Sequence, residues 1–139
     1  MRAIGAPAEM IEAVARLVEN HMEHLNSHTS ASVRRLAMRM MPSTISHLMR
    51  VIEADQAARP PLSAELSART IALYRLAVTA RIINGPVVPI LLGRHLIERG
   101  MKPGPAMGPI LRAAFEAQLD GLFGTIEGAL GWLDAYMAA

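Results

Sequence analysis

Pro60 and Pro61 stand side by side near the middle of the chain. Neither has a backbone N–H to give a helix, and each ring pushes the residue before it out of the helical region. No helix crosses this pair. The 139 residues are therefore expected to divide into a helical subdomain over 1–58 and a second over 59–139. Within each part, apolar residues recur at spacings of three and four. Met10, Ile11, Val14, Leu17, Val18 and Leu25 form one stripe from Ala8 to about Asn26, with Pro7 ahead of it as a first-turn residue. Ser30 is read as the cap of a short helix with Val33, Leu36, Ala37 and Met40 inward, and Pro42 as the opening of a third with Ile45, Leu48, Met49 and Ile52.

Beyond the prolines, Ser63 is read as the cap of a helix running to about Asn84, with Leu66, Ile71, Leu73, Leu76, Val78 and Ile82 inward. Pro86–Pro89 reads as an extended connector. A short helix follows, about Ile90 to Arg99, and stops at Gly100. The next begins near Pro105 and stops at Gly121; Thr125 caps the last, with Trp132 as its large core anchor. About seven helices and no strand predict an all-α fold of stacked helical hairpins.

Composition narrows the chemistry. Hydrophobic residues make up 52% and charged residues 19%, which opposes disorder, while only 4% are aromatic, so the core must be aliphatic and rich in methionine. The absence of cysteine excludes a disulfide scaffold, a thiolate zinc site and a cysteine nucleophile. No apolar run reaches the roughly 18 residues of a membrane span, and Met1–Pro7 holds no apolar signal core, so a cytoplasmic protein with no membrane partner is expected. The aspartates Asp55, Asp120 and Asp134 are isolated, Gly104-Pro105-Ala106-Met107-Gly108 lacks the donors of a phosphate loop, and no Ser-His-Asp set stands out. No catalytic residue, cofactor or metal site is therefore assigned. His21, His24 and His28 would share a helix face if the first helix ran that far, which leaves a metal reading open beside that of a polar helix end.

The formal net charge is +2, yet all basic residues but Lys102 are arginine. The guanidinium fork suits phosphate, so RNA is permitted as a partner; a GC-rich coding sequence would leave the same bias. Arg34, Arg35 and Arg39 lie on one short helix. Arg94, Arg99 and Lys102 lie close to the start of the helix after Pro105. Each group is a candidate phosphate surface, and each is equally readable as a solvated face.

The run Ile90-Leu91-Leu92-Gly93-Arg94-His95-Leu96-Ile97-Glu98-Arg99-Gly100-Met101-Lys102-Pro103-Gly104-Pro105-Ala106-Met107-Gly108-Pro109-Ile110-Leu111 resembles a signature near the C-terminus of the tRNA nucleotidyltransferase/poly(A) polymerase family. Glu116-Ala117-Gln118-Leu119-Asp120-Gly121 continues the likeness. Leu17-Val18-Glu19-Asn20-His21-Met22, Ser32-Val33-Arg34-Arg35-Leu36 and Glu53-Ala54-Asp55-Gln56-Ala57 resemble segments of the HD-type domain found in many members. His95 stands where the family usually has Asp. The 139 residues contain no Gly-Gly-x-Val-Arg-Asp segment, no paired aspartates and no His followed by Asp. The resemblance implies that 1–58 corresponds to the end of an HD-type domain and 59–139 to a helical tail. It implies a module that grips tRNA-like RNA while a catalytic head, not recognisable here, would add nucleotides. Arg34, Arg35, Arg39, Arg94, Arg99 and Lys102 are then the expected RNA contacts. Two other readings stay open: a structural protein that pairs with a second copy, and a residual metal-dependent phosphohydrolase using His21, His24 and Asp55.

Overall fold

The structure, a computed structural model, describes residues 7–58 and 68–139. Among these residues it is all-α: α1 Ala8–Asn20, α2 Ser30–Met40, α3 Ile45–Ala57, α4 Ala68–Thr79, α5 Gly93–Glu98, α6 Met107–Leu119 and α7 Ile126–Ala138, with one 3-10 turn at Glu23–Leu25. The chain forms two compact units, Met1–Val87 and Val88–Ala139. The expected boundary between 58 and 59 falls inside the first unit, at the edge of the undescribed stretch 59–67. The expected cap Ser63 and the inward residue Leu66 also lie outside the described residues. Leu73 and Ala77 of α4 belong to the same apolar cluster as the residues of α2 and α3, so α4 shares the first unit's core.

The first unit's core is aliphatic. Val33, Leu36 and Met40 of α2 meet Ile45, Leu48 and Ile52 of α3, all of them buried. In α4 the inward face is Thr70, Leu73 and Ala77, whereas Ile71 and Val78, expected inside, are 39% and 45% exposed. The three-four spacing allowed either set; only the packing partners select between them.

Helix ends explain where the elements stop. α1 closes at Asn20 rather than near Asn26. The Asn20 amide donates to the Arg16 carbonyl at 2.8 Å, and the His21 ring reaches the Val18 carbonyl at 2.6 Å. The His21 ring thus takes a carbonyl that a longer helix would have bonded through the Met22 N–H. α2 is capped by Thr29, not Ser30: Thr29 Oγ1 accepts from the Ser32 N–H at 3.1 Å, and Ser32 Oγ accepts from the Thr29 N–H at 2.8 Å. Likewise α3 starts after Thr44, whose hydroxyl accepts from the His47 N–H at 3.2 Å, so Pro42 lies in the turn before it.

The second unit is built around Leu91, Leu96, Ile110, Ala114 and Leu133. Its least regular stretch, Val88–Ile90, is held by one side chain. Gln118 of α6 is 8% exposed; its Oε1 accepts from the Ile90 N–H at 2.9 Å and its Nε2 donates to the Val88 carbonyl at 2.8 Å. One amide thus replaces the neighbouring strand that an extended segment lacks. α5 has a comparable device. His95, 8% exposed, accepts from the Leu92 N–H through Nδ1 at 2.9 Å, which places its ring proton on Nε2. A carboxylate at this position would accept the same bond, the usual task of an acidic residue in the third position of a helix. Gly100, with φ +91°, and Gly121, with φ +84°, end α5 and α6 as expected, in the left-handed conformation that glycine takes without strain. Thr125 caps α7 through the Gly128 N–H at 3.1 Å. Trp132 is only half-buried; Leu133, 1% exposed, is the anchor of α7.

Two consequences are measurable by urea denaturation followed through Trp132 fluorescence. Gln118→Ala leaves a buried N–H and a carbonyl without partners and costs about 1–3 kcal/mol. His95→Ala costs about 1–2 kcal/mol, and His95→Asp recovers at least half of that loss because it restores the acceptor for the Leu92 N–H.

Candidate nucleic-acid interface

A surface that binds phosphate must offer cations that are not already spoken for. In the first unit the arginines expected to bind RNA are engaged, whereas Arg50, Arg75 and Arg81 are exposed and make no ion pair with a described residue. Arg39 sits 3.5 Å from a Glu23 oxygen and lines a shallow pocket with Arg16, Glu19 and Asn20. Arg16 in turn is 3.0 Å from Glu19 and 3.7 Å from Glu12. Arg34 and Arg35 are half-buried on α2, and each has an interaction within the chain. The expected trio therefore shares one helix, and each member already makes an interaction within the chain.

The second unit differs. Arg99 pairs with Asp134 at 3.1 Å across the groove formed with Leu96, Met101 and Leu133. Arg94 and Lys102 are exposed, and neither makes an ion pair with a described residue. A third cation joins them that the sequence candidates omit. Arg112 of α6 is exposed and lies over the first turn of its own helix: a Cβ at Gly108 would be 3.3 Å from its Nη1. The signal was available in the i, i+4 spacing, since a glycine at 108 leaves room for the guanidinium to fold back.

The setting of Arg112 has an electrostatic consequence. The start of a helix carries partial positive charge and unpaired N–H groups. The start of α6 has no side-chain cap. A guanidinium laid over it adds like charge, and an anion bound there would be favoured by both. Arg112 and Gly93, the neighbour of Arg94, line one groove with Leu91, Leu92, Phe115 and the carboxylate residue Glu116. The starts of α5 and α6 are also close, because a Cβ at Gly93 would be 3.2 Å from the Met107 methyl carbon.

The histidines do not form a metal face. α1 ends before His21, and the chain turns through Glu23–Leu25. His24 Nδ1 is 2.8 Å from the His21 carbonyl; His28 is bound at both nitrogens, to Ser32 Oγ at 3.1 Å and the Glu23 carbonyl at 2.9 Å. Among the described residues no three His, Cys, Asp or Glu side chains gather where they could hold a metal. Also among the described residues, no helix is long and apolar enough to cross a membrane.

Comparison with known proteins is informative. The chain is 31% identical over 137 residues to the A-adding tRNA nucleotidyltransferase of Deinococcus radiodurans, covering 94% of this chain and 30% of that protein. It is also 31% identical over 130 residues to the CC-adding tRNA nucleotidyltransferase of Thermus thermophilus, covering 91% of this chain and 28% of that one. No family model matches the chain, and no solved structure matches it. The chain spans about three tenths of the length of these curated relatives. Over more than nine tenths of its length, then, this chain is similar to one region of two tRNA nucleotidyltransferases.

Proposed function

We propose that this chain is an RNA-binding module that holds tRNA-like RNA by its phosphates, corresponding to the C-terminal region of a tRNA nucleotidyltransferase. The observation that carries this reading is the match to two enzymes named for acting on tRNA, each over more than nine tenths of this chain. The second unit supports it with the exposed cations Arg94, Lys102 and Arg112, the last lying over the first turn of α6. These three are the primary contacts. Arg34, Arg35, Arg39 and Arg99 are secondary ones, because each would exchange an existing interaction for a phosphate, and the exchange offsets most of the gain. Such contacts position RNA without reading its sequence. Nucleotide addition is assigned to a catalytic part outside the residues described here, and the working compartment is the cytoplasm, where tRNA is matured.

A second reading, pairing of two copies, is favoured by α1. Met10, Val14 and Val18 are 53%, 43% and 62% exposed and stand four residues apart. An antiparallel copy about a two-fold axis at Val14 would set each Met10 against the partner's Val18, as a self-complementary interface requires. Sedimentation at rising protein concentration decides this: Val14→Asp abolishes any dimer, and a monomer at every concentration removes the reading.

The RNA reading is tested by filter binding of a tRNA transcript. With three phosphate contacts, affinity falls about fortyfold between about 50 and about 200 mM salt. Arg112→Ala lowers affinity and reduces the slope of log affinity against log salt by about one, whereas Arg16→Ala, a charge already paired on both sides, leaves both unchanged. Absence of tRNA binding at about 50 mM salt overturns the reading.

A further inference from the structure

The chain has one Trp, two Tyr and two Phe, and three of these rings lie together in the second unit. Phe123 is buried at 7% exposure and meets Trp132 with ring centroids 6.0 Å apart at 52°. Trp132 is half-buried and stacks on Tyr136, centroids 4.9 Å apart and planes within 20° of each other. Tyr136 is 42% exposed. The three rings make a ladder that starts in the core and ends in solvent. Trp132 and Tyr136 are four residues apart on α7, which brings them to one side of the helix.

This arrangement does more than fill space. One face of the Tyr136 ring lies on Trp132, while the residue as a whole is well exposed to water. Burial does not explain a tyrosine at the outer rung, because Leu133 and Ala129 already supply the fully buried contacts of α7. The ring is instead fixed in orientation by the indole beneath it. A flat aromatic surface held in place in advance loses little conformational entropy when another flat ring settles on it. Unpaired nucleobases are such rings, and they stack on aromatic side chains whatever their identity. The same unit carries Arg94, Lys102 and Arg112 for the sugar-phosphate backbone.

We infer that Tyr136, braced by Trp132, is a stacking platform for one unpaired base of the bound RNA. The inference rests on the RNA-binding reading proposed above and adds a contact that phosphate electrostatics cannot provide. It distinguishes single-stranded or looped RNA from continuous duplex, since bases inside a duplex have no free face.

The experiment measures binding of the full chain to a tRNA transcript and to a blunt RNA duplex of similar mass, each across a salt series. Tyr136→Ala and Tyr136→Leu both weaken tRNA binding by about tenfold or more. They leave the salt slope unchanged, because a stacked base releases no counterions. Tyr136→Phe binds tRNA as the parent chain does. None of the three variants changes duplex binding. Tyr136→Leu keeps a side chain against Trp132, and far-UV circular dichroism confirms that each variant is folded. If the parent chain binds tRNA and the Ala and Leu variants bind equally well, the platform is refuted while RNA binding stands. If Phe is as weak as Ala, the phenol hydroxyl and not the ring makes the contact, which also refutes it. If the parent chain binds neither RNA, the RNA-binding reading itself has failed.

Discussion

Short helices pose a problem that their interiors cannot solve. A helix of 13 residues such as α1, α3 or α6 leaves four N–H groups and four carbonyls without partners inside it. With so many ends per residue, the fold depends on how those ends are satisfied. Side chains do most of this work. Thr29, Thr44 and Thr125 accept from first-turn amides, Asn20 and His21 take late carbonyls, and the Arg69 guanidinium donates to the Leu25 carbonyl at 2.6 Å. His95 and Gln118 extend the same logic to irregular backbone, one at the start of α5 and the other along Val88–Ile90.

The starts of α1 and α6 have no side-chain cap, and the candidate site lies at that of α6. At α6 the Met107 N–H is taken by the Gly104 carbonyl and Pro109 has none to give, so the start offers the Gly108 N–H beneath a folded-back arginine. In the first unit some arginines are answered by carboxylates, as Arg16 is by Glu12 and Glu19 and Arg39 by Glu23, while Arg50, Arg75 and Arg81 are exposed. Arg16 and Arg39 therefore present less free charge than Arg94 and Lys102. The difference follows from where the glutamates fall, four or fewer residues away on α1 but across a turn from Arg39.

Much of this was legible in the residue order, and the limits are as instructive. The stripes of α2 and α3 were readable because their buried residues are large and aliphatic. The stripe of α4 was not, because its inward face is Thr70, Leu73 and Ala77, while the more hydrophobic Ile71 and Val78 face solvent. Trp132 misled in the same way: size suggested an anchor, but Leu133 holds that place and the indole lies under Tyr136. Arg112 escaped notice because its importance comes from the empty space above Gly108, which is a property of a pair rather than of either residue.

The sequence by itself determined that this chain is helical, where Gly100 and Gly121 stop α5 and α6, where Thr125 starts α7, and that no cysteine chemistry is available. These are local matters, settled by spacing, by glycine's freedom at positive φ and by a hydroxyl near an amide. Only the tertiary structure decided which apolar residues are core, which cations are already paired, and that Gln118 binds a segment about thirty residues away in the chain. The reason is physical: a charge or a polar group acquires its role from what surrounds it in space, and residue order fixes those surroundings only after the helices have packed.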